Sequence, residues 1–127
     1  MTKPAATSLR SIYQLKITLS GIRPPIWRRF LIASTNSLAD LHLIVQMVMG
    51  WTDSHLPFET EIKLPVCLKG SRACPQEDVG GWPGYEMLLE AIADPNHPQH
   101  ANMIEWLGEP FDPEHFDLAD VNALLQN

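Results

Sequence analysis

The chain has 127 residues, 45% hydrophobic and 19% charged, with a formal net charge of −6. Leu, Ile, Val and Phe number 34, enough for one domain with a modest core, and the length leaves no room for a second domain. No run of about 18 apolar residues exists, which excludes a membrane span. Met1–Ala5 has no apolar stretch behind Lys3, so a secretory signal is not expected and a cytoplasmic setting is.

The charge is unevenly spread. Residues 1–39 carry Lys3, Arg10, Lys16, Arg23, Arg28 and Arg29 and no acid, whereas residues 40–127 hold all 15 acids against Lys63, Lys69 and Arg72. Such a split suits either a basic face for a polyanion or two halves of one domain that attract each other. The overall acidity favours the second.

Residues 1–10 are small and polar without periodicity and read as a flexible tail. Residues 11–127 read as a single α+β domain. Tyr13, Leu15, Ile17 and Leu19 alternate with polar residues, the period of a half-buried strand. Gly21-Ile22-Arg23-Pro24-Pro25 interrupts it, because two prolines remove backbone donors. Ile26–Ile32 then folds back as the second arm of a hairpin.

Ser37 and Asp40 fit a capping box, and Leu38, Leu41, Val45, Val48 and Met49 follow at helical spacing up to Gly50, which predicts a helix over 38–49. That face also carries His42, read as an interior histidine. Phe58, Thr60, Ile62 and Leu64 alternate as a third strand.

From Pro65 to Gly84 the Gly and Pro density predicts a long loop. Beyond it, Tyr85, Leu88, Leu89 and Ile92 line a helix. A second helix is capped near Asn96 or His97 and closed by Gly108, and a single turn starts at Asp112-Pro113. Asp117 caps a last helix. The order is β-β-α-β-loop-α-α-α: a small antiparallel sheet with C-terminal helices packed on one face.

Several strings together carry a resemblance. They are Gly21-Ile22-Arg23-Pro24-Pro25-Ile26-Trp27-Arg28-Arg29, then Leu38-Ala39-Asp40-Leu41-His42 with Met49-Gly50-Trp51 and Ser54-His55-Leu56, then Cys67-Leu68-Lys69-Gly70, Glu77-Asp78-Val79-Gly80-Gly81 and Gly84-Tyr85. In this order they resemble the plasmid pRiA4b ORF-3-like family from Tyr13 onward. The resemblance implies an α+β fold and a bacterial or archaeal mobile-element setting, without a defined reaction. Relatives carry several dozen more residues between the Ser-His-Leu and Cys-Leu motifs, so Phe58–Leu64 reads as a splice of two family strands. The lost hairpin would leave an open sheet edge, to be covered by the 65–84 loop or by a second copy of the chain.

Cys67 and Cys74, with His97 and His100, are ligand types that zinc accepts, but the spacing departs from a zinc knuckle. Small buried thiols and helix-flanking histidines are the competing reading, and neither a metal nor another cofactor is expected. Trp51, Asp53 and His55 follow the first helix and would present a polar, aromatic loop. Arg72, Glu77 and Asp78 sit in a Gly/Pro-held segment, where an internal Arg–carboxylate clamp competes with cation binding. Arg28 and Arg29 point to opposite faces of a strand and cannot form one patch.

These observations favour a non-enzymatic binding or accessory module working with an unknown protein partner. Its conjectural contact residues are Trp51, His55, Arg72, Glu77, Asp78 and Tyr85. The alternatives are a nucleic-acid accessory using Arg23, Arg28 and Arg29, and a metal-dependent enzyme or its degenerate remnant.

Overall fold

In a computed structural model of the chain, the structure describes residues 11–51 and 64–126. The elements run β1 (Ile12–Thr18), β2 (Trp27–Ala33), α1 (Leu38–Val48), β3 (Val66–Ser71), α2 (Gly81–Ala93), α3 (His100–Leu107) and α4 (Leu118–Gln126). The three strands form an antiparallel sheet in the order β1-β2-β3, and the fold is α+β. The described residues divide into two compact units interleaved along the chain: residues 11–18, 27–51, 64–70 and 117–126 in the first, residues 19–26 and 71–116 in the second.

In the first unit, Leu15 faces Phe30 and Ile17 faces Arg28 across the hairpin, while Lys16 opposes Arg29 and Thr18 opposes Trp27. Period-2 alternation therefore puts Arg28, Phe30 and Ile32 on the buried face of β2. Arg28 is only 4% exposed. Its Nε donates to the Val48 carbonyl at 3.1 Å, placing a cation at the C-terminus of α1, which has no basic residue in its own last turn.

Helix α1 starts with the capping box read from Ser37 and Asp40: the Asp40 N–H donates to Ser37 Oγ and the Ser37 N–H donates to Asp40 Oδ2. Its buried stripe is Ile44, Met47 and Val48. Leu38, in the first turn, is 85% exposed, and His42 is exposed rather than interior. The buried face is rotated relative to the expected one because Ile44 and Met47, both apolar, share a stripe with Val48 and outweigh the register set by Leu38.

Residues 58–63, expected in the third strand, lie outside the described residues, and Leu64 is buried without strand geometry. The segment expected to be one long loop instead contains β3, and α2 begins inside it at Gly81. The Gly and Pro residues that suggested a loop bracket Val66-Cys67-Leu68, whose apolar side chains suit a short strand. Helix α4 packs against α1, and the Asp120 N–H donates to Asp117 Oδ1 as a cap.

The second unit is built on a core of Ile22, Ile26, Tyr85 and Leu88, with Leu19, Cys74, Ile92, Met103, Leu107 and Phe111 packed around it. Helices α2 and α3 lie side by side, and α3 ends at Gly108 in the left-handed conformation at φ 77°. The connection between them is tied by the Ala91 carbonyl to His100 Nδ1, 2.7 Å apart, and by the Gln99 N–H donating to His97 Nδ1. Glycine is needed at position 84, where an added Cβ would lie 1.9 Å from the Val79 carbonyl oxygen.

Candidate functional site

Within the second unit, Arg72 and Tyr85 come together and Glu77 and Asp78 stand apart from them. Arg72 adopts a positive φ of 69° and is 7% exposed. Its guanidinium is held on two sides: Nε and Nη2 reach Glu114 Oε2, each at 3.0 Å, and Nη1 donates to the Pro24 carbonyl at 2.8 Å. The expected Arg–carboxylate clamp exists, but its carboxylate is Glu114, far along the chain, and not one of the neighbouring acids. Glu77 and Asp78 are exposed in a turn closed by the Val79 N–H donating to the Gln76 carbonyl.

Tyr85 is fully buried, edge-on to Phe111 with ring centroids 6.2 Å apart. Its hydroxyl is buried without a hydrogen-bond partner among the described residues. Burial raises the phenol above its ordinary value of 10.0; the Arg72 charge works in the lowering direction, and Cys74 and Glu114 add to the rise. The cluster is a core feature, with Arg72 and Tyr85 buried and its charged edge open to solvent at Glu114.

Trp51 belongs to the first unit, half-buried, its N–H bonded to the Gln46 carbonyl at the end of α1. Asp53 and His55 lie outside the described residues. Cys67 is buried, and loss of solvent pushes its thiol up, partly offset by hydrogen bonding with the Lys69 backbone and by the Arg28 charge. Among the described residues, which include Cys67, Cys74, His97 and His100, no group of three or more His, Cys, Asp or Glu side chains could hold a metal ion.

The three arginines conjectured for nucleic acid have separate fates. Arg23 is an exposed turn residue of the second unit, Arg28 turns inward to α1, and Arg29 stays on the opposite face of β2. There Arg29 lies 5.3 Å and Lys16 Nζ 4.7 Å from the Trp27 ring centroid. Two like charges directly opposite across a hairpin repel, and the indole between them supplies an attractive surface for both. Period-2 spacing of Lys16 with Trp27 and Arg29 across a two-stranded register was the signal for this trio, hidden because register cannot be read from one strand.

The feature that sequence reasoning did not collect is an apolar groove at the end of α2 and α3. It has a volume of about 470 Å³ and is lined by Ile92, Ile104, Leu107, Gly108, Glu109, Pro110 and Phe111. Ile104 is 49% exposed there. The left-handed turn at Gly108 brings residues 109–111 back alongside α3, converting a helix end into a concave wall.

The chain is thus an α+β protein whose second unit carries an apolar concavity. The family model for plasmid pRiA4b ORF-3-like proteins matches residues 11–62 and 56–120, and the chain belongs to that family. It is 28% identical over 158 aligned positions to the uncharacterized protein y4hQ of Sinorhizobium fredii, covering 77% of this chain and 81% of that protein. Its fold is similar to the crystal structure of a protein of unknown function from Methanosarcina mazei Go1. That match has a TM-score of 0.76 and 27% identity and covers 86% of this chain and 96% of the other. The two family matches overlap at residues 56–62, which take in residues 58–62 of the stretch that reads as a splice. No helix among the described residues is long and apolar enough to cross a membrane.

Proposed function

We propose that this protein is a non-enzymatic binding module, cytoplasmic, a single domain over residues 11–127, and working alongside other proteins of a mobile element. The observation that carries the binding reading is the groove of about 470 Å³ walled by Ile92, Ile104, Leu107 and Phe111. Concave apolar surfaces with few polar groups are where ligands gain most from desolvation. The plasmid origin in the family's description supports the setting. Arg72 and Tyr85 contribute by holding the wall: Tyr85 packs on Phe111, and Arg72 ties Glu114 three residues further on.

Uptake of the neutral apolar dye Nile red tests the reading. The expected result is saturable, one-to-one fluorescence enhancement that Ile104→Asn abolishes with the circular dichroism spectrum unchanged. Absence of saturable uptake by the wild-type protein would remove the groove as a binding surface.

A second reading has its own observation. Lys16 and Arg29 flanking Trp27 offer cations and an aromatic ring to single-stranded nucleic acid. A gel shift that weakens steeply with salt and is lost in the Lys16→Gln, Arg29→Gln double variant is its expected outcome. Self-association through the outer edge of β1, where Ile12 and Tyr13 are half exposed, is the matching proposal for oligomeric state.

A further inference from the structure

We infer that the α2–α3 groove receives a basic amphipathic helix from a partner protein. The inference rests on the binding reading above and names the partner's chemistry. The groove lining is apolar apart from Glu109, so an occupant needs an apolar stripe and gains from positive charge beside it.

The charge of the second unit is lopsided. It carries nine acids against Arg23 and Arg72, and Arg72 is buried in an ion pair with Glu114. A surface of this sign steers basic partners inward and repels acidic ones, nucleic acid included. A neutral small molecule would make no use of it. Trp82 and Met87 on α2 and Ile104 and Trp106 on α3 are each at least 39% exposed, adding apolar contact area to the same unit.

The shape selects the form of the ligand. An added strand needs a sheet edge, and the elements of the second unit are helices, with only Ser71 of β3 falling within it. A polyproline ligand docks between several aromatic rings, whereas Phe111 is the sole aromatic residue among the described residues that line the groove. A helix presenting apolar residues at i, i+3, i+4 and i+7 matches a concavity framed by two helices.

Two synthetic helical peptides of about 18 residues serve as probes, one with a Leu stripe and Lys elsewhere, the other with the same stripe and Glu elsewhere. Fluorescence anisotropy should show the Leu/Lys peptide binding one-to-one, at least about tenfold tighter than Leu/Glu, with the preference shrinking as salt rises. Ile104→Asn and Glu109→Gln should each weaken it, while Leu118→Asn, a control on α4, should not. Equal binding of both peptides would overturn the charge selection, and so would binding that ignores Ile104→Asn. Failure of both peptides with Nile red uptake intact would overturn this inference and leave the groove reading standing; loss of dye uptake as well would end both. Self-association of the protein that Ile104→Asn abolishes would make the occupant a second copy and also overturn it.

Discussion

Asn122 closes both backbone groups of Cys67: its Oδ1 accepts from the Cys67 N–H at 2.7 Å and its Nδ2 donates to the Cys67 carbonyl at 2.9 Å. One side-chain amide thereby takes the place of a neighbouring strand along the outer side of β3. Gln126 extends the same protection, donating Nε2 to the Pro65 carbonyl at 2.7 Å. An edge strand left bare is a site for unwanted pairing, and here α4 covers it. Cover for an open edge was expected from the 65–84 segment or a second copy; residues 66–71 form a strand instead, and along its outer side Asn122 and Gln126 of α4 meet Cys67 and Pro65.

Asn122→Ala is expected to destabilise the fold by about 1–3 kcal/mol, since it strands two backbone groups on a partly buried strand. Asn122→Asp keeps an acceptor for the Cys67 N–H but sets a carboxylate against the Cys67 carbonyl, so it should also destabilise. Urea denaturation checks both, and a midpoint for Asn122→Ala equal to wild type would show that water satisfies the edge equally well.

Arg72 and Glu114 should behave unequally although they form one pair. Arg72 is almost fully buried and also serves the Pro24 carbonyl, whereas the Glu114 side chain is 68% exposed. Arg72→Met is expected to cost about 2–3 kcal/mol. Glu114→Gln should cost about 1 kcal/mol or less, because solvent screens the pair on that side. Thermal melts of the two variants rank them; equal losses would contradict the asymmetry.

Tyr85→Phe is expected to leave stability at neutral pH unchanged or slightly raised, because the hydroxyl it removes has no partner among the described residues. The alkaline limb should change. Burial raises the Tyr85 phenol above 10.0, so folding favours the protonated form; that contribution is complete below the unfolded value and is lost as pH rises from it through the folded one. Cys67, raised above 9.0 by burial, adds a loss of the same sign that begins earlier. Wild-type stability should therefore fall as pH rises above about 9, and Tyr85→Phe should remove the later part of the fall, above about pH 10. Identical pH profiles would contradict ionisation of a buried Tyr85.

Gly84→Ala and Gly108→Ala separate crowding from backbone conformation. At Gly108 nothing lies within 4 Å of an added Cβ and only the positive φ is strained, for about 1 kcal/mol. At Gly84 the Cβ would meet the Val79 carbonyl oxygen at 1.9 Å, so the start of α2 must shift and the loss should exceed about 3 kcal/mol. Chemical denaturation of the pair is the measurement, and similar losses would mean that α2 relaxes freely.

Local patterns were legible where a single segment carries its own signal. The hairpin arms, the Ser37–Asp40 cap and the Asp117 cap rest on alternation or on bonds spanning three residues, and they stand within a residue or so of their expected places. What depended on distant partners was not legible. β3 is specified by β2 on one side and by Asn122, 55 residues away, on the other. The site followed the same division. Arg72 in a clamp was readable from composition, but its partner Glu114 was not, nor was the groove, which needs the Gly108 turn to carry Phe111 back beside α3.

The interleaving of the two units bears on how the protein is made. The first unit draws on residues 11–18 and also on residues 117–126, so its final helix is synthesised only after the whole of the second unit. Until then Pro65 and Cys67 lack the amides of Gln126 and Asn122, and the nascent sheet keeps a sticky margin. Loss of residues 122–126 would therefore do damage out of proportion to their number.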